Sequence, residues 1–323
     1  MNSTAGPYEH FATLFDHRYL PCALALWQSL RRHSENSILW ALCMDTEALH
    51  ILKRLALPGL NAIHLTEIES TELLAVKPTR SHGEYCWTLT PATFRMVFER
   101  EPQARRATYL DADLWVMSDP RIPLEEMVAA GKRVLITPHA FAPEYQKEGR
   151  LSGTFCVQFL CIENHPDALA IADRWARQCR EWCSATPDRH TGRFGDQGYL
   201  ENWPQSDPSV VHVPEHPGRF LAPWNVRHEL GQATRLFQPI AYHFHDLRLR
   251  RDGMVQLFRV YRIGDQAQAI YDDYLRDLRL AIRMLQDAGI SIPYQVGDRN
   301  IGRKIKEWWL QRTGRMALAK LCP

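Results

Sequence analysis

Apolar positions along this chain follow two rhythms. Phe11 to Phe15 is a short strand-like run, and from Leu20 onward Leu20, Ala23, Leu24, Leu26, Trp27 and Leu30 recur three and four residues apart, which predicts a helix. Ile38 to Met44 then reads as a buried strand and Glu47 to Leu57 as a second helix. The order strand, helix, strand, helix predicts a parallel sheet covered by helices.

The same reading continues downstream. Ala62 to Leu65 is a third short strand, the stretch Lys77 to Gly83 is polar, and Pro91 sits where it can open a helix to about Glu99. Ala107 to Leu110 is strand-like and stops at Asp111-Ala112-Asp113. Arg133 to Thr137 and Phe155 to Ile162 read as strands, and Pro166 to Cys183 as an amphipathic helix. The segment 185–198 predicts a loop leading into a short helix, followed by strands at Val210 to Val213 and Ile240 to Leu249. A long helix is expected over Asp265 to Ala288.

Composition narrows the class. The chain has 323 residues, 45% hydrophobic and 24% charged, which suits a globular α/β protein and neither a disordered nor an integral membrane one. A net charge of +2 gives no general pull toward nucleic acid. The eight cysteines contain no Cys-x-x-Cys pair, so neither a zinc knuckle nor a dithiol motif is indicated, and free thiols suit a cytoplasmic protein. The N-terminal decapeptide lacks a basic segment followed by an apolar one, and so does not read as a leader.

Charge is unevenly spread. Residues 301–323 carry +5, leaving −3 on the remainder, and Trp308, Trp309, Leu310, Met316 and Leu318 are interleaved with the basic residues. Such a tail reads as a basic amphipathic helix, either lying on an anionic membrane surface or packing its tryptophans on the domain.

Asp111 and Asp113 are the strongest chemical signal. One residue apart on an extended chain, they point the same way and can share one hard cation such as manganese or magnesium. Such a triplet is also a common solvated turn, but Thr108 to Val116 holds it between two apolar runs. A haloacid-type phosphatase places Thr or Val four residues after its first aspartate, where this chain has Trp115, and is disfavoured. Neither a dinucleotide nor a P-loop glycine motif is present, so the phosphates of a nucleotide would need a metal.

Thr13-Leu-Phe-Asp-His-Arg-Tyr19, Tyr109-Leu-Asp-Ala-Asp113, Phe194-Gly-Asp-Gln197 and Tyr242-His-Phe-His245 follow one another in the order seen in GT-A glycosyltransferases. The chain most resembles the retaining group that contains bacterial galactosyltransferases and glycogenin. The resemblance spans about residues 8 to 250. It implies a GT-A α/β fold with a mixed, mostly parallel sheet flanked by helices, and a C-terminal helical extension. The corresponding divisions are 1–250 for the transferase domain, 251–300 for a helix packed on it, and 301–323 for the tail.

The resemblance also implies site residues. Thr13, Phe15, Asp16 and Tyr19 would hold base and ribose, while Asp111 and Asp113 would bind manganese or magnesium together with the ribose or diphosphate. A late histidine, His243 or His245, would complete the metal shell, and Asp196 and Gln197 would position sugar and acceptor. Asp196 equally reads as an N-cap. Arg95 approximately occupies the place of a basic residue that touches the diphosphate or donor sugar, or lies on a solvated helix face. Apart from the resemblance, Arg248 and Arg250 follow the histidine strand and are candidate diphosphate contacts, since guanidinium pairs with phosphate oxygens.

Cys156 departs from the family pattern by standing where a sugar-contacting amide is usual, and Gln158 is expected to supply that amide from nearby. The implied partners are a nucleotide-sugar donor, probed first as a UDP-sugar, and a glycan, lipid-linked or protein acceptor. The other readings are a sugar-nucleotide nucleotidyltransferase and a non-catalytic nucleotide-sugar binding protein. A nucleotidyltransferase commonly has a glycine-rich first loop, and Thr13 to Tyr19 contains no glycine.

Overall fold

Strand β1 (Glu9–Phe15) is buried on both faces over nearly its whole length, as a central parallel strand requires. It pairs in parallel with β2 (Ser37–Cys43), which pairs in parallel with β3 (Leu60–His64). On the other side of β1 lies β4 (Arg106–Leu110), also parallel. After β5 (Leu114–Val116) and β6 (Val134–Pro138), the chain enters β7 (Phe155–Glu163), antiparallel to both β4 and β6. With β8 (Val211–His212) beside β6, the sheet order is β3-β2-β1-β4-β7-β6-β8. It is a mixed, mostly parallel sheet. The computed structural model describes residues 8–188, 190–232, 237–296 and 301–321. The first seven residues of the decapeptide read for a leader, the division at residue 300, and Cys322 lie outside these.

The chain leaves β1 toward one edge of the sheet to build β2 and β3, then returns to place β4 on the opposite side. In an open sheet such a reversal leaves a crevice beyond the carboxyl ends of the two strands. Here those ends are Phe15 and Leu110, so the segments beginning at Asp16 and Asp111 flank one crevice.

Two small sheets finish the architecture. In the first, β10 (Ala241–His243) runs antiparallel to β5 and parallel to β9 (Phe220–Leu221). In the second, β12 (Met254–Arg259) lies between β11 (Arg248–Leu249) and β13 (Met316–Lys320). The expected strand Ile240 to Leu249 is thus two strands. Asp246 takes a left-handed conformation (φ 65°) between them and turns the chain.

The tail is likewise not one helix. Helix Ile301–Arg312 ends at Gly314 (φ 66°), where the amides of Gly314 and Arg315 bond back to the carbonyls of Gln311 and Leu310. The chain then turns into β13, which pairs with β12. Residues 251–300 hold β12 as well as the expected helix, observed at Gln268–Asp287.

That long helix packs against the first helix, Leu20–His33, which carries proline in its first turn, where no amide bond is lost. Leu24, Tyr274, Leu278 and Ile282 are buried between or beside them, each burial contributing about 1.5–3 kcal/mol. Asp277, 4% exposed, accepts from Arg32 Nη2 (2.5 Å) and Trp115 Nε1 (2.7 Å), tying the long helix to the first helix and to β5. The helices Thr71–Val76 and His82–Leu89, unexpected from the polar sequence there, start at Ser70 and Ser81. Ser81 and Glu84 form a reciprocal capping box. Among the described residues, no helix is long and apolar enough to cross a membrane.

Candidate active site

A cleft of about 760 Å³ occupies the crevice, with Phe15 at the end of β1, Asp16 and Tyr19 beyond it, and Asp111 and Asp113 beyond β4 among its lining. The same Asp-x-Asp segment feeds straight into β5, whose antiparallel partner is β10. Phe244 N–H donates to Asp113 O (2.9 Å), which fixes the register and sets His243 beside both acids. His243 Nε2 lies 3.2 Å from Asp113 Oδ1 and 3.6 Å from Asp111 Oδ2.

One ligand atom from each of Asp111, Asp113 and His243 lies within 4.8 Å of the others. Two carboxylates and an imidazole form a donor set that fits manganese, and magnesium through its oxygens. Burial pushes the Asp111 carboxyl up to about 7, with His243 opposing the rise and Asp113 adding to it. Burial disfavours charge on His243, but the two aspartates outweigh it and hold the imidazole well above its ordinary value. His245 lies beyond the end of β10, its ring 5.7 Å from that of His243, and is not part of the three-residue cluster.

Antiparallel pairing brings the start of β7 alongside the Asp-x-Asp segment, with Asp111 N–H donating to Gln158 O (3.1 Å). Gln158 does not line the cleft. It is 1% exposed, and its Oε1 sits 2.9 Å from His243 Nδ1. Cys156, two residues earlier on the same face of the strand, does line it. Burial would raise the Cys156 thiol, but His139 and His243 outweigh burial and bring it down to about 6.

Arg248 and Tyr19 form the wall nearest Asp113. The Arg248 guanidinium lies 5.6 Å from the centre of the Tyr19 ring, and its Nη1 donates to Leu247 O (2.7 Å). Asp16 lines the cleft, but its carboxylate is already engaged by Arg18 Nε (2.8 Å) and by His82 Nε2 (3.1 Å).

Asp196 and Gln197 enter from the opposite side. Asp196 stands at the N-cap position of the short helix Gln197–Asn202, as read from the sequence, but its side chain makes no capping bond there. Burial and the charge of Asp111 raise its carboxyl to about 8, despite a hydrogen bond with Thr90. Gln197 Nε2 donates to Ser152 O (2.5 Å). Gly195 (φ 55°) permits this turn to close on Trp87, whose ring would lie 3.3 Å from an added Cβ.

Besides Gln158, three expected residues are not brought in; of these, Arg250 pairs with Asp252 (2.5 Å) and is absent from the cleft lining. Thr13 is fully buried in β1, two residues below the crevice. Arg95 projects from the far face of helix Ala92–Arg100 and forms a two-pronged pair with Asp173 (2.7 and 2.5 Å) on helix Pro166–Glu181. It is absent from the cleft lining.

The cleft also contains residues that sequence reasoning passed over: His82, Trp87, His139, Trp224, Tyr261 and Gln295. Trp224 stands edge-on to His243 and to His245, each at 5.6 Å. His82 and Trp87 were signalled only by the Ser81-x-x-Glu84 capping box. Tyr261 and Gln295 show that residues beyond 250 help wall the site.

The chain is 31% identical over 288 residues to the Bacillus subtilis (strain 168) protein "Uncharacterized protein YfnD", covering 86% of this chain and 91% of that one. It belongs to the YfnD family. A second relative in the same organism, "Uncharacterized protein YfnF", is 30% identical over 255 residues, covering 74% of this chain and 82% of its own. No protein-family model matches this YfnD relative. Among solved structures, it is similar to the glycosyltransferase GlyE of Streptococcus pneumoniae TIGR4 (14% identity, TM-score 0.49, covering 89% of this chain and 65% of that one). It is also similar to the galactosyltransferase LgtC in complex with donor and acceptor sugar analogues (13% identity, TM-score 0.46, 92% and 99%).

Proposed function

We propose that this protein is a metal-dependent glycosyltransferase of GT-A type that transfers a sugar from a nucleoside-diphosphate donor, with a UDP-sugar the first candidate, and retains anomeric configuration. The observation that carries the reading is the meeting of Asp111, Asp113 and His243 in a crevice walled by Arg248 and Tyr19. Asp111 and Asp113 would hold the cation from one side and His243 from the other. When bound, the cation would offset the charge that develops on a diphosphate leaving group.

The chain's own residues account for the remaining tasks. Tyr19 and Phe15 offer a flat apolar wall to a base, and Arg248 a fixed positive charge for phosphate oxygens. Asp196 and Gln197 present hydrogen-bonding groups across the cleft, where the sugar of such a donor would lie. Incubating the protein with a panel of nucleotide sugars and Mn²⁺, and measuring released UDP and GDP, tests the proposal. Metal-dependent release supports it, binding without release supports a catalytically silent binding protein, and neither binding nor release removes it.

We also propose that the protein works at an anionic membrane surface on the cytoplasmic side. Ile305, Trp308 and Trp309 are 62%, 57% and 51% exposed on helix Ile301–Arg312, while Leu310 packs inward. Arg303, Lys304, Lys306 and Arg312 lie around them. Such a patch suits apolar insertion beside phosphate headgroups.

A further inference from the structure

We propose that Gln158 is the positioning residue that holds His243 in the tautomer and orientation able to bind a cation. This rests on the metal reading above. Its Oε1 lies 2.9 Å from His243 Nδ1. A carboxamide oxygen only accepts hydrogen bonds, so this contact requires a proton on Nδ1. Nε2, directed at Asp113 and Asp111, is then the nitrogen that offers its lone pair to a cation.

The environment of Gln158 argues against a packing role alone. It is 1% exposed, in the middle of a fully buried strand, and its Nε2 has no hydrogen-bond partner among the described residues. A buried, unpaired amide costs stability that an aliphatic side chain of similar size would avoid. The compensating interaction is the one to His243. Gln158 also accepts from Asp111 N–H through its backbone carbonyl (3.1 Å). One residue therefore touches both the first aspartate, through its backbone, and the histidine, through its side chain.

This assignment gives Gln158 a different task from contacting the sugar directly. Outer partners of metal-binding histidines typically contribute about 10–100-fold to metal affinity. Calorimetric titration of MnCl₂ alone into wild type, Gln158→Leu, Gln158→Met and Gln158→Glu, with metal-free thermal melting of each, tests it. The expected result is a loss of about 10–100-fold in affinity for the Leu and Met variants and near wild-type affinity for Gln158→Glu, which keeps an acceptor oxygen. A cooperatively melting Leu or Met variant that binds Mn²⁺ like wild type overturns the proposal. So does a folded Gln158→Glu protein as weak as the other two. Absence of Mn²⁺ binding by wild type instead overturns the metal reading, and this inference with it.

Discussion

The His243 imidazole stands 3.2 Å from the Asp113 carboxylate because two short strands, β5 and β10, pair directly beneath them. The carboxylates and the histidine are about 130 residues apart in the sequence. Only that antiparallel register makes them one site.

Replacing Asp113 with Ala should lower Mn²⁺ affinity beyond the roughly 10–100-fold expected for an outer-shell change, because it removes a ligand together with its charge. Titration calorimetry checks this, and wild-type affinity in the variant would remove Asp113 from the metal site.

Chelation by EDTA should stop nucleoside-diphosphate release, and Mn²⁺ should restore it more fully than Mg²⁺. The imidazole in the donor set favours manganese over the harder, oxygen-seeking magnesium. Release that persists in EDTA would show that any transfer activity does not use the cluster.

Arg95→Ala should leave nucleotide-sugar turnover unchanged, since its guanidinium is spent on Asp173 away from the cleft. Both partners are well exposed, so the stability cost should stay below about 1 kcal/mol. A large fall in turnover would restore Arg95 to the donor site.

Asp277→Ala should destabilise the fold by about 2–3 kcal/mol in urea denaturation. The change strands the buried Trp115 Nε1–H and unpairs Arg32, whose partial exposure limits the loss. A midpoint equal to wild type would mean that the link between β5 and the long helix contributes nothing.

Exchanging both Trp308 and Trp309 for Ser should weaken sedimentation with vesicles containing anionic lipid while leaving thermal stability nearly unchanged, because both rings are half exposed. The substitution is more informative than deleting the tail, since residues 316–320 form β13 and pair with β12. Equal sedimentation of variant and wild type would leave the patch without a membrane role.

The parallel half of the fold was legible in the sequence. Apolar runs and three-four spacings through Leu110 are local signals, and each buried strand needs only its own residues to declare itself. The Asp-x-Asp pair could be read in the same way, because a strand end places both carboxylates on one side of the chain. The two helices between residues 71 and 89 were not legible from periodicity, being too short to show it. Their serine caps were the only local trace.

What the sequence by itself determined was therefore the succession of strands and helices through Leu110 and the place of the Asp-x-Asp pair at the end of a strand. The tertiary structure decided that His243 rather than His245 joins the acids, that Gln158 stands behind the histidine and Arg95 outside the cleft, and that the tail forms a helix and a strand that pairs with β12. These outcomes depend on pairing between distant segments. A turn at Asp246 or Gly314, or the register of β7 against β4, changes which side chains meet without altering the local pattern of apolar residues.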